Sequence, residues 1–246
     1  MPKYRRFSDA SMSEKMLDTM FLITIGIGYL FALANIYYTH QGRDGKPGLS
    51  IADIMDAYYG THNQTRLGAA INGPMEANLP NEAAKQTILD WIRHGAGKKE
   101  FEQKVKPILD ANCIMCHSEE SGLPIPHFTS YENVAALTKT DTGATIPALV
   151  RVSHIHLFGI AFILFFVGRI FILCEIPVLL KRTVMVVPFL FLLTDISSWY
   201  LTKIIPGFAY VVVTAGALLG ISLAFQILVS LWQMWFYKPK KDPTGV

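Results

Sequence analysis

The chain has 246 residues, of which 51% are hydrophobic and only 17% are charged, with a formal net charge of +3. Soluble proteins average nearer a quarter charged residues, so this composition excludes an ordinary soluble protein. The small positive charge gives no sign of a nucleic-acid partner, because the basic excess lies at the ends of long apolar runs.

Four apolar runs each approach the length of about 20 residues that an α-helix needs to cross a bilayer. They lie at residues 20–38, 152–173, 183–200 and 208–237. The first run contains Ala32-Leu33-Ala34, an A-x-A-like cleavage site, but it is long for the core of a signal peptide and favours a permanent anchor. We therefore predict an all-α protein with four transmembrane helices and a small helical domain inserted between the first two.

The predicted organisation divides the chain into four parts. Residues 1–40 form the N-terminal segment and anchor helix, residues 41–151 the inserted domain, residues 152–237 a three-helix membrane region and residues 238–246 a basic tail. Lysines and arginines concentrate near both termini and at 181–182, so the positive-inside rule predicts cytoplasmic termini. The expected location is the inner (cytoplasmic) membrane, with the inserted domain in the periplasm.

The inserted domain is slightly acidic, with 11 lysines and arginines against 13 aspartates and glutamates. Capping residues and apolar periodicity predict its helices. Ser50 begins the first of them, and Asp53 three residues later gives a near capping box. The predicted helices lie at residues 50–59, 65–71, 81–94, 100–112 and 131–137.

Cys113, Cys116 and His117 form the pattern Cys-x-x-Cys-His. Two thiols at this spacing can each form a thioether with a vinyl group of haem, and the histidine that follows can ligate the iron. A redox dithiol or half of a zinc site leaves the histidine unexplained, and the remaining cysteine, Cys174, cannot complete a four-thiolate site. The pattern predicts one covalently attached haem c, with His117 as the proximal iron ligand.

The stretch from Phe101 to His117, with Val105 and Pro107 ahead of the motif, resembles the haem-attachment helix of monohaem cytochrome c domains. The resemblance extends over residues 52–140 and is specific at the Cys-x-x-Cys-His. It implies a membrane-anchored c-type cytochrome that transfers electrons at the periplasmic face of the cytoplasmic membrane, as a subunit of a respiratory or other redox complex. The implied partners are membrane lipid, other subunits of that complex and a periplasmic electron donor or acceptor.

The sixth ligand of the iron cannot be transferred from this resemblance by position, because most of the domain precedes the motif and no methionine follows it before Met185. Met75 is the first candidate, since it follows a rigid Asn-Gly-Pro turn and a methionine–histidine pair is usual in high-potential c-type carriers. His62 and His127 are the alternatives. Met75 can equally be an ordinary core methionine that fills a gap.

Three ionisable residues lie near the outer ends of predicted transmembrane helices: His154 and His156 in the second, and Asp195 in the third. Ionisable groups inside a membrane are costly and usually functional. Three hypotheses remain open: a structural pair between Asp195 and a histidine, a quinol site in which these groups accept protons, and a metal or second-haem site. A haem held by both histidines is difficult, because residues two positions apart point to different sides of a helix.

Two further functional classes follow from these alternatives. The protein could itself be an enzyme, a quinol:cytochrome c oxidoreductase with quinone as a second cofactor. It could also be a haem-based sensor or a structural assembly subunit. In the inserted domain, no nucleophile, base or organic-cofactor motif supports independent catalysis.

Overall fold

The computed structural model describes residues 5–123 and 125–237, so the predicted basic tail at 238–246 lies outside the described residues. Every regular element in the described residues is helical. The strand-like pairing found there is an isolated antiparallel bridge between Thr65 and Thr140. The predicted all-α class is confirmed.

Ten α-helices follow one another along the described chain. They are α1 (Met12–His40), α2 (Ile51–Tyr58), α3 (Arg66–Ile71), α4 (Glu82–Arg93), α5 (Lys98–Glu100), α6 (Lys106–Asn112), α7 (Tyr131–Ala135), α8 (Ile146–Phe171), α9 (Val178–Thr202) and α10 (Ala209–Trp235). Short 3₁₀ segments lie at Phe7–Asp9, Glu76–Asn78, Glu119–Ser121, Ala136–Thr138 and Pro206–Phe208. Helices α1, α8, α9 and α10 are long and apolar enough to cross a membrane, as predicted.

Three of these long helices extend beyond the predicted apolar runs. Helix α1 begins at Met12, before the run at 20–38, and α8 begins at Ile146, before the run at 152–173. Helix α9 exceeds its run at both ends. The apolar run marks the part of a helix that meets hydrocarbon, whereas backbone hydrogen bonding continues into the polar layer on either side.

Two compact units share the chain. The first contains α1 as far as Asn35, then Ile146–Trp199 and the described chain from Tyr210 to Tyr237. The second contains Ile36–Thr145 together with Tyr200–Ala209. The first unit is a bundle of the long helices, and the second holds the short helices and the loop between α9 and α10.

Large apolar side chains fill the interior of the helix bundle. Leu164 and Phe171 of α8 and Leu192 of α9 are buried there. Tyr29 of α1 places its hydroxyl end against Gly220 of α10, at a contact that leaves no room for a β-carbon. Most of the apolar surface of α1 remains exposed, as expected of a helix that faces lipid.

Polar side chains of α10 connect this helix to α9 and to the loop between α8 and α9. The buried Gln226 of α10 donates to the carbonyl of Val184 in α9, at 3.0 Å. Gln233 accepts from the backbone N–H of Glu175 at 2.6 Å, and the Glu175 carboxylate pairs with Arg6 at 3.1 Å. These contacts tie the N-terminal segment and the α8–α9 loop to α10.

The predicted caps form in the second unit. Ser50 and Asp53 make a reciprocal capping box at the start of α2, with distances of 3.1 Å and 2.7 Å between side chains and backbone N–H groups. Thr65 caps α3 and Asn81 caps α4 through one bond each, in which the side chain accepts from the backbone N–H of Gly68 or Ala84. Each cap satisfies an N–H that the first turn of a helix leaves without a partner.

An apolar core joins α3, α4, α6 and α7 of the second unit. Its buried members are Leu67, Ile71, Ile88, Trp91, Ala96, Phe101, Val105, Leu109, Phe128 and Val134. Cys113 and Ile114 pack against this core from its edge. The predicted apolar face of α4 is therefore buried as expected from its spacing of three and four.

The helix predicted at 100–112 is present but is not regular. It starts earlier, as α5, and passes through a π-helical turn at Phe101–Val105 before α6. Pro107 follows that turn and has no N–H with which to continue the ordinary pattern, so the backbone widens just before it. Phe101 and Val105 both point from the widened turn into the core.

Candidate functional site

The Cys-x-x-Cys-His motif folds as a tight turn at the end of α6. The N–H of Cys113 donates to the carbonyl of Leu109 at 2.8 Å, which completes the helix. The carbonyl of Cys113 then accepts from the N–H groups of Cys116, at 3.1 Å, and His117, at 2.9 Å. Because Leu109 is buried in the core, the whole turn is held at the core edge.

The two cysteines of the motif are free thiols in different surroundings. Cys113 packs partly against the apolar core, and this burial raises the pKa of its thiol. Cys116 is exposed. The motif therefore holds one free thiol at the core edge and one at the surface.

His117 is held by the loop that follows it. Its Nδ1 lies 2.6 Å from the carbonyl oxygen of Pro126, and its ring stacks on Phe128 at 4.1 Å between centroids and 9° between planes. The N–H of Phe128 donates to the carbonyl of His117 at 2.7 Å. A carbonyl can only accept, so the Nδ1 carries the proton and the lone pair lies on Nε2, the nitrogen that remains for a metal.

These residues fit a covalently bound haem. The motif supplies two free thiols and an imidazole whose metal-binding nitrogen is selected by the hydrogen bond to Pro126. Met115, inside the motif, leaves 86% of its surface exposed, and Leu123 leaves 45% exposed. A large apolar cofactor attached at this turn gives such side chains an apolar partner.

Met75 lies at the end of a segment that packs in the same core as the motif. Its N–H donates to Ala70 of α3 at 2.9 Å, and α3 contributes Leu67 and Ile71 to that core. The thioether sulfur of Met75 lies 3.8 Å from Nδ2 of Asn78, and 41% of the residue is exposed. Met75 is thus not a buried core methionine.

The two alternative sixth ligands are held in their own loops. His62 has a positive φ of 56°, contacts the Tyr59 carbonyl through Nε2 at 3.0 Å and packs on the Tyr59 ring. His127 lies between Pro126 and Phe128, which both contact the imidazole of His117. His127 therefore lies in the loop that orients His117, and it stays a predicted alternative to Met75 as the sixth ligand.

The membrane bundle brings together two of the three ionisable residues, through a tryptophan. Trp199 donates from Nε1 to Oδ1 of Asp195 at 3.1 Å, one turn apart on α9. His156 of α8 meets the same indole edge to face, with 5.4 Å between ring centroids. His154 is exposed on α8, and its ring contacts the Val150 carbonyl at 3.4 Å.

The hypothesis of a direct pair between Asp195 and a histidine is wrong within the described residues. Asp195 makes no ion pair there. Its carboxylate accepts a hydrogen bond from the indole of Trp199 instead. Among those residues no three His, Cys, Asp or Glu side chains come together as a metal-binding group. Trp199 was missed as a site residue, although its spacing of four from Asp195 on one helix could have indicated the contact.

A contact of the partly exposed Lys203 within the second unit was also missed. Lys203 donates to the carbonyls of Thr142, at 2.9 Å, and Tyr58, at 3.3 Å. Burial lowers the pKa of Lys203, against the opposing charge of Asp141. The three segments that meet here are distant in sequence, and no local pattern indicates their contact.

Comparison with known proteins bears on the membrane region alone. A family model described as a transmembrane helical domain matches residues 139–242, less than half of the chain. No curated protein and no solved structure matches the sequence. The matched segment contains α8, α9 and α10, and α1 has the same length and apolar character. The chain is a membrane protein with several transmembrane helices.

Proposed function

We propose that this protein is a membrane-anchored monohaem c-type cytochrome that transfers electrons at the periplasmic face of the cytoplasmic membrane. The observation that carries the proposal is the Nδ1 contact of His117 with Pro126, at 2.6 Å, directly after two free thiols at Cys-x-x-Cys spacing. A histidine that ligates a metal almost always donates its other ring N–H to a carbonyl or carboxylate. The sequence motif and the local geometry therefore both support haem attachment at the two cysteines and iron ligation by His117.

Each residue of the site has a defined task. Cys113 and Cys116 would hold the haem through thioether bonds, and His117 would ligate the iron through Nε2. The carbonyl of Pro126 and the ring of Phe128 keep the imidazole from rotating. When bound, the haem supplies a one-electron iron couple, and a methionine such as Met75 on the other side would raise its potential.

The predicted orientation supports a periplasmic site of action. The basic segments near the termini and at 181–182 place the inserted domain outside under the positive-inside rule, where haem c is attached. The proposed partners are membrane lipid, other subunits of a respiratory or redox complex and a periplasmic electron donor or acceptor. The long exposed surface of α1 suits contact with lipid or with such a subunit.

The experiment that tests this proposal is a pyridine haemochrome assay on the purified full-length protein, before and after extraction with acidified acetone. Extraction removes haem b and leaves thioether-linked haem in place. We expect one non-extractable haem per chain, and none in the matched variant Cys113→Ser with Cys116→Ser. Haem that is fully extractable, or no haem at all after production with the haem c attachment machinery, would overturn the proposal.

A further inference from the structure

Three side chains in the outer halves of α8 and α9 form a connected group: His156, Trp199 and Asp195. The indole of Trp199 touches both of the others, as a hydrogen-bond donor to Asp195 at 3.1 Å and as an aromatic neighbour of His156 at 5.4 Å. Asp195 lies about 10 Å inside the end of α9, at 1.5 Å of rise per residue. The group is therefore inside the apolar layer and near its surface.

His156 presents a proton acceptor to the lipid. Its Nδ1 lies 2.9 Å from the carbonyl of Val152, so Nδ1 carries the proton and Nε2 keeps its lone pair. The residue is exposed on α8, a helix long and apolar enough to cross a membrane, so we expect acyl chains around it. Water is scarce at that depth, so an exposed lone pair gains its hydrogen bond from a lipid-soluble donor.

Asp195 presents a second acceptor beside the first. Oδ1 accepts from Trp199, and Oδ2 makes no hydrogen bond to any residue that the structure describes. No cation pairs with this carboxylate in the described chain. Carboxylates inside a membrane are rare and mark proton or substrate pathways, so this one needs a functional partner.

We propose that this group binds a quinol, which donates one hydroxyl to Nε2 of His156 and the other to Oδ2 of Asp195, with its ring against Trp199. The inference rests on the proposed c-type cytochrome function, because it names the electron donor for that haem. A quinol matches the group in each respect: it is lipid-soluble, it is a flat aromatic ring, and it carries one hydrogen-bond donor at each end.

Oxidation of the quinol releases two protons and two electrons, and each of them has an acceptor. Oxidation of the quinol breaks both O–H bonds, and the protons pass to Nε2 of His156 and to the carboxylate of Asp195. The haem that Cys113, Cys116 and His117 would hold could accept the two electrons one at a time, with the proposed periplasmic acceptor as the final oxidant. The quinone then leaves to the lipid, and both acceptors release their protons to the periplasm.

A metal or a second haem fits the group less well. His156 is the one histidine in it, and His154 lies on a different side of α8 with its ring near the Val150 carbonyl. Of the seven histidines in the chain, α9 and α10 contain none, so neither of these two helices offers a second imidazole to pair with His156. A quinol needs two hydrogen-bond acceptors, and His156 and Asp195 supply one each.

The first arm of the test is binding, measured without any turnover. The full-length haem protein in lipid nanodiscs is irradiated with an azido-substituted benzoquinone, and the labelled peptides are mapped by mass spectrometry. We expect label on the segments around His156 and Trp199, and its loss when decylubiquinone competes. Label confined to other helices, or label that decylubiquinone does not displace, would overturn the assignment.

The second arm measures reduction of the haem by decylubiquinol. We expect His156→Gln and Asp195→Asn each to slow it by about a hundredfold, the usual loss when a general base is removed. His154→Gln, an exposed histidine outside the group, is the matched control and should keep the parental rate. Rates in the two test variants equal to that of the control would overturn the inference.

Two further measurements separate this inference from the proposed function. All variants should carry the same covalent haem and be reduced equally by dithionite, which needs no quinol site. Absence of covalent haem would overturn the cytochrome proposal, and the azidoquinone labelling would still decide the quinone site. Full haem content without quinol dependence at His156 and Asp195 would overturn the quinol site alone.

Discussion

The imidazole of His117 donates from Nδ1 to the carbonyl oxygen of Pro126 across 2.6 Å. The contact joins the end of the Cys-x-x-Cys-His turn to a loop that returns past it, and Phe128 in that loop stacks on the same ring. Phe128 is also a buried member of the core of the second unit. Orientation of the proposed iron ligand is therefore coupled to packing of that core.

Replacement of Phe128 by alanine tests this coupling. We expect Phe128→Ala to lower the free energy of unfolding by about 3–5 kcal/mol, because it deletes a buried aromatic ring. Covalent haem should remain, since both cysteines are intact. Denaturant unfolding followed by the haem absorbance gives the value. Lys99→Ala, at an exposed position away from this site, is the control and should change it by less than about 0.5 kcal/mol.

The sixth ligand can be assigned by three parallel variants. We expect Met75→Ala to convert a low-spin haem into a high-spin form that binds carbon monoxide, and to lower the reduction potential, because the thioether ligand is lost. His62→Ala and His127→Ala should retain the parental absorption spectrum. A spectral change in a histidine variant, with Met75→Ala unaltered, would reassign the ligand. A parental protein that already binds carbon monoxide readily would favour the sensor hypothesis.

The number of reactive thiols gives an independent test of haem attachment. The chain has three cysteines, so we expect denatured protein to take up one maleimide per chain, at Cys174, when the other two are in thioethers. Uptake of three would contradict covalent attachment.

The same label reports on the folded state of Cys174. Burial raises the pKa of this thiol to about 11, so at about pH 7 the reactive thiolate is rare. We expect the native protein to resist maleimide, and any slow reaction to speed up as the pH rises towards that pKa. A native protein that reacts as fast as the denatured one would show that Cys174 is accessible.

Gly60 and Gly143 pack against each other in the second unit. The effect of a β-carbon at Gly60 can be compared with its effect at Gly97, where there is space for one. Gly60 has a φ of +91°, and a β-carbon there would meet the backbone of Asp141 at 2.5 Å. We expect Gly60→Ala to destabilise the unit strongly, through strain and this clash. Gly97→Ala is the control, because φ there is −65° and nothing lies within 4 Å of the added carbon. Thermal unfolding of both variants should separate them; equal values would contradict the packing at Gly60.

Local sequence signals predicted what depends on neighbours in the chain. The capping box of Ser50 and Asp53 is confirmed, because a cap involves residues within a single helical turn. The four long helices were predicted by their apolar length. The ends of these helices were less well predicted, because backbone hydrogen bonding continues beyond the apolar residues that mark the hydrocarbon layer.

The sequence by itself determined the helical class, the membrane-crossing segments and the chemistry expected of Cys113, Cys116 and His117. Only the tertiary structure decided which nitrogen of His117 is free, that Trp199 rather than a histidine binds Asp195, and that Lys203 reaches the carbonyl of Tyr58. The physical reason is that composition, periodicity and motif spacing act over a few residues. Contacts between distant segments depend instead on how loops return and which side of each helix is buried, and these follow from packing of the whole unit.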